Sequence, residues 1–258
     1  MKIQNTFKAN VIWGSLGFSL AIIAALLFDT QQTISYLAAA KAFIFSQFSW
    51  FYILLSAFFL FFLLFLALGR YGDIKLGGDE EEPEFKLGSW IALLFTSGIG
   101  IGIVFLGVAE PLSHFLSPIG EYEKVRTALF FSIFHWSISA WAIYGLIALT
   151  IAYFGFRYKL PFSLRSCFYP LLKEKINGKV GDVIDILGIC TTLFGVVATL
   201  GYSAIRLAAA FHSMHLLDNS PYLVPLILVS VFIIAILISL QGIANGFRIL
   251  SELNLGVT

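Results

Sequence analysis

Long apolar runs without Asp, Glu, Lys or Arg dominate the hydrophobic pattern of the chain. A helix of about 20 residues, rising about 1.5 Å per residue, crosses the ~30 Å hydrocarbon layer of a membrane. No run alternates polar and apolar residues as the strands of a membrane barrel do. The pattern therefore predicts an all-α polytopic membrane protein with about six transmembrane helices: Ala9–Phe28, Phe51–Gly69, Leu87–Ala109, Thr127–Phe156, Ile186–Ile205 and Pro221–Phe247.

The distribution of Lys and Arg between the predicted loops indicates an orientation. Three of these residues fall on one side: Lys41, Lys124 and Arg126. Twelve fall on the other: Lys2, Lys8, Arg70, Lys75, Lys86, Arg157, Lys159, Arg165, Lys173, Lys175, Lys179 and Arg248. Because basic loop residues collect on the cytoplasmic side, we expect a multi-pass protein of the cell membrane with both termini in the cytoplasm.

Composition narrows the function. Apolar residues make up 59% of the chain and charged residues 12%, against about 25% charged residues in soluble domains. The net charge of +1 indicates no nucleic-acid partner. Apart from Arg206 and His135, the spans carry no ionisable side chains that could form a charged pore ring or a metal cluster. These facts argue against a channel or an enzyme, and any ligand must be recognised mainly by aromatic rings and backbone.

Alternating glycines interrupt the third predicted span in "TSGIGIGIVF", which begins at Thr96. Each glycine weakens a helix by about 1 kcal/mol relative to alanine. One interpretation is close helix packing, because Gly98 and Gly102 form a G-x-x-x-G face. The other is a helix that is broken around Gly100, so that free backbone groups face a bound molecule. Such breaks are tolerated in membranes where they line a cavity, as in transporters.

Three aromatic residues in the fourth predicted span form a second candidate site. In "FHWSISAWAIYG", from Phe134, Trp136, Trp141 and Tyr144 lie within about 140° of one another on a continuous helix. Membrane tryptophans usually lie at the water interfaces, whereas these two fall near the middle of the span. Facing rings could hold a quaternary ammonium by cation–π attraction, worth ~2 kcal/mol or more when desolvated. The alternative is that the rings only pack or face lipid.

Four motifs occur in a characteristic order: "GGDEEEPEFKLGSWIALLFTSGIGIGIVFLGVAEPL" from Gly77, "FHWSISAWAIYG" from Phe134, "LPFSLRSCFYPLL" from Leu160 and "QGIANGFRILSELN" from Gln241. Together they resemble the betaine/choline/carnitine transporter family. The resemblance implies the first half of a twelve-helix inverted-repeat (LeuT-like) secondary transporter. Residues 1–86 would form two leading helices and an acidic loop, and 87–258 a partial first repeat of four helices.

The resemblance also implies function and site residues. The family moves quaternary ammonium solutes such as glycine betaine, choline or carnitine, often in symport with Na⁺ or H⁺ and without a cofactor. Its aromatic box and its unwound glycine-rich stretch correspond here to Trp136, Trp141, Tyr144, Gly98, Gly100 and Gly102. These residues would bind the substrate.

A cation half-site is implied in the same way. The backbone carbonyls of Ser97 and Ile99, with the hydroxyl of Thr192, would offer Na⁺ the oxygen ligands that it prefers. Gly102 stands where proton-coupled choline carriers often have aspartate, which favours the sodium-coupled type. Val196 stands where the sodium-coupled pattern would have a second hydroxyl, so a second sodium site is not supported.

Arg206 is unusual for this family at its place in the fifth span. A guanidinium inside a membrane is costly and by default marks function. Our hypothesis is that Arg206 acts as a fixed cation or a gate. The alternative is that its side chain snorkels to the outer surface, a turn or two away.

The sequence reaches "LNLGVT" where the family would enter its seventh helix. We therefore expect a truncated, incomplete transporter that is inactive alone, since inverted-repeat carriers bind their solute between the two repeats. Two other interpretations stay open: a half-carrier completed by a second chain, and a structural or regulatory membrane module that binds no solute. The implied partners are the solute, the lipid bilayer, and either a homotrimer or a complementing carboxy-terminal half.

Overall fold

The computed structural model describes residues 8–98, 101–117, 123–218, 220–240 and 243–257. Within these ranges the chain forms helices joined by turns and loops and contains no strand, which confirms the predicted all-α class. The helices divide into two compact units, residues 1–81 with 133–193 and residues 82–132 with 194–258. The predicted division into 1–86 and 87–258 stays a prediction.

The first unit begins with two apolar helices. Helix α1 has the bounds of the first predicted span, Ala9–Phe28. Helix α2 runs over Thr30–Leu68 and so begins well before the predicted span Phe51–Gly69. Asp29 caps it by accepting a hydrogen bond from the Gln32 amide at 2.9 Å, and no glycine or proline follows until the end of the helix. None of its residues is buried, as expected of a helix surrounded by lipid.

Four further helical segments complete this unit, with the start of a long helix α9, Lys179–Ser213. They are α6 (Ile138–Phe156), α7 (Leu164–Cys167), α8 (Tyr169–Leu172) and a 3₁₀ helix (Lys173–Asn177). Small residues bring α1 close to α9. The Cys190 thiol donates to the Ser15 carbonyl at 3.8 Å, and a Cβ atom on Gly14 would lie 2.5 Å from Cδ1 of Ile186. Such contacts are typical of membrane helices, which gain their packing energy from close backbone approach.

A buried arginine ties the α6–α9 connection to the first turns of α9. Arg165 is 4% exposed, and its Nε lies 2.5 Å from Oδ2 of Asp185. Its Nη1 lies 3.1 Å from Oδ1 of Asp182 and also donates to the Ile176 carbonyl at 3.2 Å. Lys8 extends the cluster to the residue before α1, 3.2 Å from the same Asp182 oxygen. Both carboxylates therefore have a cationic partner, which compensates for their removal from water.

The second unit contains α3 (Leu87–Gly98), α4 (Ile101–Leu116), α10 (Leu223–Ser239) and α11 (Ile243–Val257). It also holds most of α5 (Lys124–His135) and the second part of α9. Helix α11 packs against α3 and α10. Ala92 of α3 and Ser251 of α11 are both buried, at 1% and 3% exposure.

Among the described residues, four helical stretches are long and apolar enough to cross a membrane: Ala9–Phe28, Thr30–Leu68, Lys124–Phe156 and Lys179–Ser213. They contain three of the six predicted spans completely and a fourth, Phe51–Gly69, except for its last residue. The other two predicted spans, Leu87–Ala109 and Pro221–Phe247, coincide with shorter apolar helices, Leu87–Thr96 and Leu223–Ser239. The count of six and the inverted-repeat arrangement therefore stay predictions.

Candidate functional site

The aromatic residues lie at a break between two helices. The sequence pattern predicted one continuous helix over Thr127–Phe156, but α5 ends at His135 and α6 begins at Ile138. Ser137 has extended backbone angles, φ −76° and ψ 170°, and its hydroxyl donates to the Phe134 carbonyl at 2.8 Å. A serine side chain that bonds nearby backbone competes with the helical ladder, and serine is a preferred residue immediately before a helix. The local sequence thus explains the break.

At the break, the side chain of Trp141 is hydrogen-bonded to the backbone of Trp136. The Ala140 amide donates to the Ser137 carbonyl at 3.1 Å, and the indole nitrogen of Trp141 donates to the Trp136 carbonyl at 3.3 Å. The Trp141 and Tyr144 ring centroids lie 5.9 Å apart, with their planes at 45°. The predicted trio is therefore arranged as a ring pair, Trp141 with Tyr144, next to the main chain of Trp136.

This cluster presents aromatic surface that other groups can reach. Trp136 is half-buried, whereas Trp141 is 38% exposed and Tyr144 69% exposed. Indole and phenol faces attract cations within about 6 Å of the ring centroid, and no counter-charge is needed. Exposed rings of this kind can attract a quaternary ammonium group, and the assignment of these residues to the substrate stays a prediction.

The glycine stretch lies partly outside the described residues. Gly98 is the last residue of α3 and Gly102 the second residue of α4. Ile99 and Gly100 lie outside the described residues, as does the side chain of Ser97. The predicted interruption, and the assignment of these residues to substrate and cation, stay predictions. This stretch belongs to the second unit and the aromatic cluster to the first.

Thr192 and Arg206 both lie on α9. The Thr192 hydroxyl is exposed and donates to the Gly188 carbonyl at 2.9 Å, so its oxygen keeps a lone pair for another partner. The Arg206 guanidinium is half-buried and lies over the Tyr202 ring, with Cζ 3.7 Å from the centroid. This cation–π contact holds the charge against the helix one turn back. The predicted cation half-site and the gating role stay predictions.

Sequence reasoning missed a polar contact at the end of α3. The Asn254 side chain donates to the Thr96 hydroxyl at 3.2 Å, and Thr96 donates to the Ser251 carbonyl at 3.4 Å. Ser89 donates to Glu252 between the same helices at 2.6 Å. The available signal was the polar spacing in "ILSELN", which places several hydrogen-bonding side chains on one helix.

Comparisons with known proteins agree on one family. The family model described as "BCCT, betaine/carnitine/choline family transporter" matches residues 10–258. The chain is 48% identical to an uncharacterized transporter of Haemophilus influenzae over 99% of the chain and 39% of that protein. It is 39% identical to an osmo-dependent choline transporter of Acinetobacter baylyi over 83% of the chain and 32% of that protein. It is 40% identical to a glycine betaine transporter of Bacillus subtilis over 88% of the chain and 45% of that protein. The chain thus spans less than half the length of each of these relatives.

Proposed function

Since the chain belongs to the betaine/carnitine/choline transporter family, we propose that it forms the amino-terminal, solute-recognising part of a carrier for quaternary ammonium compounds. Members of this family are multi-pass membrane transporters and not enzymes. The observation that carries the proposal is the ring pair of Trp141 and Tyr144 beside the Trp136 carbonyl.

The chemistry of this cluster fits the solutes named for the relatives. Choline and glycine betaine each carry a trimethylammonium group. Its charge is spread over three methyl groups, and it has no N–H to donate a strong hydrogen bond. Aromatic faces attract such a group through the ring quadrupole, and this attraction requires no hydrogen bond from the cation. From the family resemblance we also assign Gly98, Gly100 and Gly102 to substrate binding.

We assign the coupling cation to the carbonyls of Ser97 and Ile99 and the hydroxyl of Thr192, with Na⁺ favoured over H⁺. An inverted-repeat carrier binds its solute between its repeats, and this chain spans less than half of its relatives. The solute site is therefore completed by further sequence, either in the same polypeptide or in a complementing chain. We place both termini in the cytoplasm and consider a homotrimer the natural assembly for the completed protein.

The experiment uses a completed carrier, defined as this chain joined to the part of the Haemophilus influenzae relative that the match leaves uncovered. Uptake of labelled betaine, choline and carnitine is measured in cells that lack their own carriers, with and without Na⁺ and at several pH values. We expect cation-dependent uptake by the completed carrier and none by the 258-residue chain alone. Uptake only when the two parts are expressed as separate chains would indicate a half-carrier. A completed carrier that reaches the membrane but moves none of the three solutes would contradict the proposal.

A further inference from the structure

A single hydroxyl connects the last turn of α3 to α11. Thr96 Oγ1 accepts a hydrogen bond from Nδ2 of Asn254 at 3.2 Å and donates one to the Ser251 carbonyl at 3.4 Å. Thr96 and Asn254 are half-buried, and Ser251 is 3% exposed. The hydroxyl thus uses its donor and one acceptor lone pair on the same neighbouring helix. This position of α3 is bonded to α11 by side chains on both helices.

This contact lies next in sequence to Ser97 and Gly98, the residues to which cation and solute binding are assigned above. Gly98, the last residue of α3, lies two residues after Thr96. A glycine has no Cβ to restrict its backbone or to pack against neighbours, so the position of the backbone at Gly98 depends on side chains of nearby residues. Thr96 is one of these residues, and its side chain is bonded to α11.

We propose that Asn254 is a positioning residue, which acts through Thr96 to hold α3 against α11 and thereby fixes the backbone of Ser97 and Gly98. That this backbone binds solute and cation rests on the function proposed above. The contact between Thr96 and Asn254 does not depend on that function. Removing the Asn254–Thr96 bond would keep every protein group that is assigned to solute and cation, but it would orient these groups less well. Such a loss weakens binding without abolishing it.

The two helices also supply a matched control. Ser89 donates to Oε1 of Glu252 at 2.6 Å, which is a shorter bond between the same pair of helices. Ser89 lies about two turns before Thr96 on α3. Ser89→Ala therefore removes a hydrogen bond between α3 and α11 without changing the last turn of α3.

The first test measures uptake by the completed carrier for Thr96→Val, Thr96→Ser, Asn254→Leu and Ser89→Ala, with each variant's abundance in the membrane. For Thr96→Val and Asn254→Leu we expect the half-saturating concentrations of solute and coupling cation to rise about fivefold, the effect of losing one hydrogen bond. Thr96→Ser keeps the hydroxyl and should stay close to the parent protein. Ser89→Ala should leave both concentrations unchanged. Equal shifts for Thr96→Val and Ser89→Ala would overturn the proposal.

The second test does not depend on transport. Hydrogen exchange of a peptide containing Ser97 and Gly98 is followed in the purified 258-residue chain in detergent. We expect faster exchange in Thr96→Val than in Ser89→Ala or the parent chain. If exchange accelerates but the completed carrier moves no quaternary ammonium solute, the positioning contact stands and the proposed function fails. If uptake is normal and neither exchange nor half-saturation changes, the function stands and the positioning role is wrong.

Discussion

The indole nitrogen of Trp141 donates a hydrogen bond to the backbone carbonyl of Trp136 at 3.3 Å. The bond spans the break between α5 and α6, and it holds the Trp141 ring beside that of Tyr144. The orientation of this ring therefore depends on its N–H group as well as on packing. Substitutions of Trp141 can therefore separate the contribution of its aromatic face from that of its N–H group.

Replacing Trp141 tests the aromatic cluster directly. In the completed carrier, Trp141→Ala should raise the half-saturating solute concentration by at least about fivefold, since a cation–π contact contributes about 1 kcal/mol at an exposed site and ~2 kcal/mol or more when desolvated. Trp141→Phe keeps an aromatic face but loses the donor, and should fall between Trp141→Ala and the parent. Uptake of labelled choline and betaine at varied concentrations measures both effects.

Trp50 provides the control for this prediction. Its indole also donates to a backbone carbonyl, that of Gln47 at 3.0 Å, but on the exposed helix α2. Trp50→Ala should leave the half-saturating concentration unchanged. Unaltered kinetics in Trp141→Ala, at normal abundance, would remove the evidence for an aromatic solute site.

The Arg206 hypothesis leads to a second prediction. If this guanidinium acts as a fixed cation or a gate, Arg206→Ala should slow uptake and change its dependence on Na⁺ or H⁺ by about fivefold, which corresponds to ~1 kcal/mol. Tyr202→Phe keeps the ring beneath the guanidinium and should resemble the parent protein. The measurement is initial uptake over a range of cation concentrations. If Arg206→Ala shows the parent's uptake and cation dependence, Arg206 only snorkels to the surface.

The sequence predicted helix type well and helix ends unevenly. The bounds of α1 were predictable because the charged residues Lys8 and Asp29 flank it on either side. Helix α2 begins much earlier than its apolar run, because Gln31, Gln32 and Lys41 interrupt the hydrophobicity but not the helix. Hydropathy reports which residues suit lipid, whereas a helix can continue through polar residues, so its ends need not coincide with those of the apolar run.

Some contacts of the candidate site follow from local sequence, and others join residues that are far apart in the sequence. The proximity of Trp141 and Tyr144 follows from their spacing of three residues on a helix. The Thr96–Asn254 contact joins residues 158 positions apart, and no local pattern specifies it. Arg165 had been counted only as a basic loop residue, because burial of a charge is visible only once Asp185 is seen to lie beside it.

Arg165 should be essential for stability. Arg165→Ala leaves Asp182 and Asp185 without this cationic partner in a buried cluster, which typically costs about 3–5 kcal/mol. Arg165→Lys should not restore it, because an ammonium cannot reproduce the planar fork that contacts both carboxylates. Unfolding of the purified chain in detergent measures the loss.

Arg157 supplies the exposed counterpart for this experiment. It contacts Asp79 at 2.6 Å, but the Asp79 side chain is 80% exposed. Arg157→Ala should therefore change stability far less than Arg165→Ala, since surface ion pairs contribute little. Equal losses for the two variants would mean that burial of Arg165 does not determine its contribution.

The Asp79–Arg157 pair also predicts a pH dependence. The hydrogen bond and charge of Arg157 hold the pKa of Asp79 below its ordinary value of 3.8. A lowered folded-state pKa means that the pair stabilises the fold above that ordinary value and that this contribution is lost as pH falls through the lowered pKa. The difference in melting temperature between the parent and Asp79→Asn should be small and constant from about pH 8 to about pH 5, and should vanish only in stronger acid. Added salt should shrink it, because both groups are exposed. A difference that instead changes near neutral pH would show that another titrating group, and not Asp79, controls the contact.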